Sequence, residues 1–136
     1  MTDLRSETRL DAPDLVVFGA VGEVNAAEAN EIGRLLREHS RNDVAFLLTK
    51  IRGGSLVLPG KVRRIFVEQT RGISVIVDAV VGADFHVRVL GRLVAGAARM
   101  LSGTTLRLGF FDDEHAARTW LKEQGCIACG AVAEGS

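Results

Sequence analysis

Apolar and polar positions recur along this chain with two different periods, and each switch of period marks a new element. Residues 5–10 alternate and are mostly polar, which predicts a short edge strand. The turn Asp11-Ala12-Pro13-Asp14 leads into residues 15–21, an apolar, β-branched run that predicts a deeper strand paired with the first as a hairpin. Residues 44–49 and 73–81 are further buried strand runs, and residues 104–110 give one more strand. A polar, glycine-bearing loop is expected after Thr49.

Between these runs the period becomes helical. Asn25 and Glu28 have capping-box spacing, and Ala29, Ile32, Leu35 and Leu36 form the buried stripe of a helix that fades near Ser40. Pro59 suits the first turn of a second helix, with Val62, Ile65 and Phe66 inward and Gly72 closing it. Asp84 predicts the cap of a long third helix over residues 84–101, ended by Ser102-Gly103. Asp112, Asp113 and Glu114 favour the start of a fourth helix, whose inner face is Ala116, Ala117, Trp120 and Leu121. No period survives beyond Gly125, so a single domain over 1–125 and a loosely ordered tail over 126–136 are expected. The order β-β-α-β-α-β-α-β-α predicts an α/β fold, a mainly parallel five-stranded sheet with an N-terminal antiparallel edge strand and right-handed crossovers.

Composition narrows the function classes. Seventeen Lys and Arg balance 17 Asp and Glu, so no overall field draws the chain to nucleic acid or an anionic surface. No specific nucleic-acid partner is expected. The sequence holds no 18-residue apolar run, and Met1-Thr2-Asp3-Leu4-Arg5-Ser6 lacks the apolar stretch of a signal peptide. The expectation is a cytoplasmic protein without a transmembrane segment.

Two stretches carry a resemblance. One is Ala79-Val80-Val81-Gly82 running into the helix with Val87-Arg88-Val89-Leu90; the other is Gly109-Phe110-Phe111-Asp112-Asp113-Glu114-His115-Ala116-Ala117-Arg118-Thr119-Trp120-Leu121. Both resemble small bacterial SpoIIAA-like proteins, a group similar in fold to STAS domains and, more remotely, to CRAL-TRIO lipid-carrying domains. The resemblance spans the chain to about Gly125 and implies a STAS-like regulatory or protein-interaction module. In signalling STAS domains the third strand ends in Asp, and an Asp-Ser-Ser-Gly loop carries the phosphorylated serine. Here the strand ends in Thr49, the helix start reads Leu58-Pro59-Gly60, and Ser55 lies several residues upstream. The resemblance therefore implies a docking surface rather than a kinase-operated switch.

Four groups of residues are candidates for chemistry. Arg52, Ser55, Lys61 and Arg64 lie near a predicted helix N-terminus and suit an anion or an acidic partner. This is not a Walker A loop, because Gly54 and Gly60 enclose five residues and Lys61 precedes Val62. On the long helix Arg88, Arg92 and Arg99 form one basic stripe, while Leu90, Leu93, Val94 and Ala97 belong to an apolar surface wider than packing on a sheet requires. A twin helix in a homodimer, an unidentified regulatory protein, an apolar ligand or a membrane surface are the alternatives that would cover it. Cys126 and Cys129 have C-x-x-C spacing but fall in the expected loose tail, so they are read as reduced thiols. Asp78, an acid inside an apolar strand run, is read as a helix-capping or arginine-paired carboxylate near the end of a strand where ligands of open parallel sheets bind.

His39, His86 and His115 fall on three different predicted helices and form no triad or dyad with a nucleophile. The sequence thus predicts a non-enzymatic module without metal or cofactor, homodimeric, with a carrier or sensor of a lipid or other apolar ligand as the alternative.

Overall fold

The sheet grows in one direction, and that fixes the layers. The computed structural model describes residues 6–134, with the side chains of 53–55 and 131–134 outside the described set. Strands β1 (Glu7–Asp11), β2 (Leu15–Glu23), β3 (Val44–Val57), β4 (Val75–Val81) and β5 (Thr105–Phe111) lie side by side in chain order. β1 is antiparallel to β2, and the three remaining pairs are parallel. The parallel pairs are joined by α1 (Ala26–Glu38), α2 (Gly60–Gln69) and α3 (Phe85–Ser102). Successive right-handed crossovers advancing the same way bring these three helices to one face. α4 (Glu114–Glu123) and α5 (Ile127–Glu134) cover the other.

Alternation along the strands divides the side chains between two cores. Val16, Phe18, Ala45, Leu47 and Ile76 face α1 and α2, packing on Ile32, Leu36 and Val62. Leu15, Val17, Phe46, Leu48, Val77 and Ala79 face the opposite way, onto Ala117 and Leu121 of α4. Both faces of the central strands are buried, which explains their unbroken apolar runs.

The helix ends follow the local chemistry. Asn25 and Glu28 form a reciprocal capping box at α1, with bonds of 2.8 and 2.9 Å. Asp84 accepts the Val87 N–H at 2.9 Å, Asp113 accepts that of Ala116 at 2.8 Å, and Gly103 closes α3 with φ 71°. Pro59 stands just before α2 as its N-cap, without a capping side chain.

Two expectations are corrected. The segment after Thr49 is strand rather than loop: β3 continues to Val57 along β2, and a register shift between Val21 and Gly22 takes up the irregularity. Gly22 adopts φ 63°, a conformation that suits such a bulge. The tail expected to be loose from residue 126 forms α5, and Cys126, Ala128 and Cys129 are buried in the second core. Asp14 supplies what sequence periodicity does not show. Its carboxylate, reaching from the β1–β2 turn, accepts the Ile127 and Ala128 N–H groups at 2.9 and 3.0 Å. Among the described residues, no helix is long and apolar enough to cross a membrane.

Candidate functional site

The first core is incompletely filled. Between the sheet and the layer of α1, α2 and α3 lies a cavity of about 110 Å³. Its floor is built from two cross-strand rows set by the parallel register, Phe18, Thr49, Val80 and Phe110, then Leu47, Asp78 and Leu108, with Leu106 of β5 beyond them. Ile32, Phe66, Val87, Leu90 and Val94 supply walls from the helices. Gly91 brings the α3 backbone close to β5, where a Cβ would stand 3.2 Å from Leu108 Cδ1.

Asp78 and Thr49 are the polar side chains in this lining. The Thr49 hydroxyl donates to Asp78 Oδ1 at 3.0 Å, the one hydrogen bond of that carboxyl among the described residues. Burial disfavours the carboxylate and the Thr49 bond opposes it, leaving the Asp78 pKa pushed up to about 7. A group poised between acid and carboxylate at neutral pH either donates a hydrogen bond or accepts one from a cationic or neutral donor. The expected helix cap or arginine pair for Asp78 is absent from its described hydrogen bonds.

The predicted site residues separate. Leu90 and Val94 turn inward to the cavity, whereas Leu93 is 61 % exposed. Leu93 and Ala97, with Val94 at its base, line an outer groove of about 340 Å³ shared with Gly60, Arg63, Arg64, Val67 and Leu101. The four apolar positions expected on one surface therefore serve two sides of α3, because its lower half packs on the sheet. Arg88, Arg92 and Arg99 do share one exposed stripe; the Arg88 guanidinium lies 5.4 Å from the centroid of the Phe110 ring, and Arg99 donates to Thr105 Oγ1 at 3.3 Å. Phe85, Val89 and Met100 are exposed beside this stripe.

The expected anion surface is divided by the sheet. Arg52 lies against Gly19, on the face that carries Lys50 to Glu114 of α4. Lys61 and Arg64 belong to α2 on the opposite face. The Ser55 side chain lies outside the described residues. Continuation of β3 through this segment causes the separation, since a strand sends alternate side chains to opposite faces.

A second polar constellation was not foreseen from sequence. Arg118 donates to Asp11 Oδ2 at 2.8 Å and to Glu114 Oε2 at 2.7 Å, and Lys50 donates to Glu114 Oε1 at 3.2 Å. Burial pushes both carboxyls up, but the Arg118 bonds, helped by Arg9 and Lys50, hold Asp11 and Glu114 below the usual range. The network joins the β1–β2 turn to α4 and has the character of a structural clamp. Among the described residues, no group of three or more His, Cys, Asp or Glu side chains is arranged to hold a metal ion.

Comparison with known proteins gives no match to a family model, a curated protein or a solved structure.

Proposed function

We propose that this protein is a non-catalytic, STAS-like binding module whose cavity takes a small apolar ligand carrying one hydrogen-bond donor. The observation that carries this reading is the lone carboxyl of Asp78 in an otherwise apolar lining, together with Thr49. An empty apolar cavity of ~150 Å³ accepts a benzene ring. At about 110 Å³, and partly open to solvent, the pocket suits a short alkyl arm or a ring that enters in part, not an entire lipid. An amine or hydroxyl on that arm would bond to Asp78, while a ligand carboxylate would meet its charge. Specificity then comes from one polar contact in an apolar enclosure, the usual economy of small-molecule sites.

Benzylamine, benzyl alcohol and benzoate are suitable probes, read by methyl resonances of Val80, Val94 and Leu106. The amine and alcohol are expected to shift these resonances in a saturable way, with benzoate weaker, and Asp78→Asn should weaken the amine most. Lining methyls that do not respond to the amine and the alcohol would sink the reading.

A second reading, a homodimer through α3, is favoured by one observation. Phe85, Leu93 and Met100 are 73 %, 61 % and 87 % exposed on the same helix. Large apolar side chains clustered on a surface mark an interaction site more often than isolated ones do. Sedimentation velocity on the full chain tests this reading, which fails if the protein is monomeric at high concentration.

A further inference from the structure

Cys126 and Cys129 take on a different meaning once α5 is seen to begin between them. Cys126 immediately precedes the helix and Cys129 lies in its first turn, so the spacing folds both sulfurs to one side. Both residues are 2 % exposed and belong to the same core cluster. Their surroundings differ in sign. Asp14 Oδ1 accepts the Cys126 thiol at 3.6 Å, while the positive charge of Arg118 acts on Cys129. Arg118 Nη1 is itself buried and has no hydrogen-bond partner among the described residues. The single Cys126 S–H is given either to Asp14 or to Cys129; given to Cys129 it lowers that pKa, burial opposes this, and Arg118 lowers it further. Cys126 is pushed up by its bond to Cys129 and by burial, with the Asp14 charge adding to both. Cys129 is thus the more acidic of the two thiols, an asymmetry that thiol–disulfide exchange uses.

We propose that Cys126 and Cys129 form a reversible intramolecular disulfide by exchange with a small disulfide of the glutathione class. Cys129 gives its proton to solvent and the resulting thiolate attacks one sulfur of oxidised glutathione, whose S–S bond breaks, and the first glutathione leaves as a thiolate that takes up a proton. Cys126 then gives its proton to solvent and attacks the Cys129 sulfur of the mixed disulfide, expelling the second glutathione, which is protonated in turn. The protein dithiol loses two electrons and two protons overall, and oxidised glutathione becomes two reduced molecules. Access comes from local opening of α5, a helix of eight residues whose first turn is held by Asp14.

The test equilibrates the full reduced chain in buffers of graded oxidised-to-reduced glutathione ratio and quenches with acid. The sample is then returned to near-neutral pH in denaturant with excess N-ethylmaleimide, which blocks every free thiol, and intact mass is read. The expected result is direct conversion from a species with two maleimides to one with none that is lighter by two hydrogens. Cys126→Ser should stop at a single glutathione adduct on Cys129, formed faster than the adduct on Cys126 in Cys129→Ser. The wild-type titration stands even where a serine variant folds poorly. Two thiols still blocked at the most oxidising ratio, or a wild type that accumulates a stable glutathione adduct, would overturn the proposal.

Discussion

Thr49 reaches Asp78 diagonally across the β3–β4 ladder: Thr49 is in register with Val80 and Asp78 with Leu47, yet hydroxyl and carboxyl meet at 3.0 Å. Same-face residues two positions apart on adjacent strands are within reach of one another. The bond stabilises the carboxylate, but burial outweighs it and raises Asp78 from 3.8 to about 7.

The direction of the resulting pH dependence follows by linkage. Folded Asp78 keeps a proton that the unfolded chain releases near its ordinary value, so the stability it contributes is fully present below about pH 4. That contribution declines as pH rises and levels off above about 7. The whole shift corresponds to roughly 4 kcal/mol as an upper bound. Asp11 and Glu114 act oppositely: their pKa values are held low, so their contribution is present above the unfolded values and lost as acid protonates them. Asp78→Asn keeps an acceptor for Thr49 and should flatten the decline between about pH 4 and 7, leaving the variant the more stable at about pH 8. Urea unfolding across this range checks it, and an unchanged slope would show that Asp78 is not its source.

Gly33 sets the approach of α1 to α2. A Cβ at this position would stand 2.4 Å from Gln69 Cβ and 3.6 Å from its Cα, too close to be relieved by rotating a side-chain tip. The Arg37 guanidinium also bonds to the Gln69 carbonyl and to its side-chain amide oxygen, tying the two helices at the same level. Gly33→Ala should therefore destabilise the fold by ~1–3 kcal/mol through overpacking, despite the better helix propensity of alanine. Denaturant unfolding that shows a gain in stability would contradict this contact.

Asp14 is 1 % exposed and holds the first turn of α5 through two N–H bonds. Asp14→Ala should cost ~1–3 kcal/mol, because it leaves the buried Ala128 N–H and the part-buried Ile127 N–H without their acceptor. The loss should be local first, so amide exchange in α5 should accelerate before that of β3 and β4 changes. Equal acceleration throughout would mean that α5 unfolds only with the whole domain.

The legibility of the chain follows the range of its interactions. Buried runs in β2 and β4, and caps at Asn25, Asp84 and Asp113, are local signals, and those elements lie within a few residues of their expected places. α5 depends on Asp14, more than one hundred positions away, and its own period is too weak to announce it. The extension of β3 likewise depends on the edge that β2 offers. Asp78 was conspicuous as an acid in an apolar run, but Thr49 was not, because only register brings the two together. Arg52 shows the converse: closeness to Lys61 in sequence says nothing of side once a strand intervenes.

Leu93 and Val94 are adjacent on α3, about 100° apart around its axis, and are 61 % and 5 % exposed. This contrast separates the outer surface from the fold. Leu93→Glu should change stability by less than ~0.5 kcal/mol, since most of the side chain already faces solvent. Val94→Glu places a carboxyl into the cavity wall and should destabilise by ~3 kcal/mol or more. If α3 pairs with its counterpart in a second copy, Leu93→Glu converts dimer to monomer in sedimentation velocity while its unfolding midpoint at low concentration is unchanged. A Leu93→Glu protein that remains dimeric would remove the outer face of α3 from the interface.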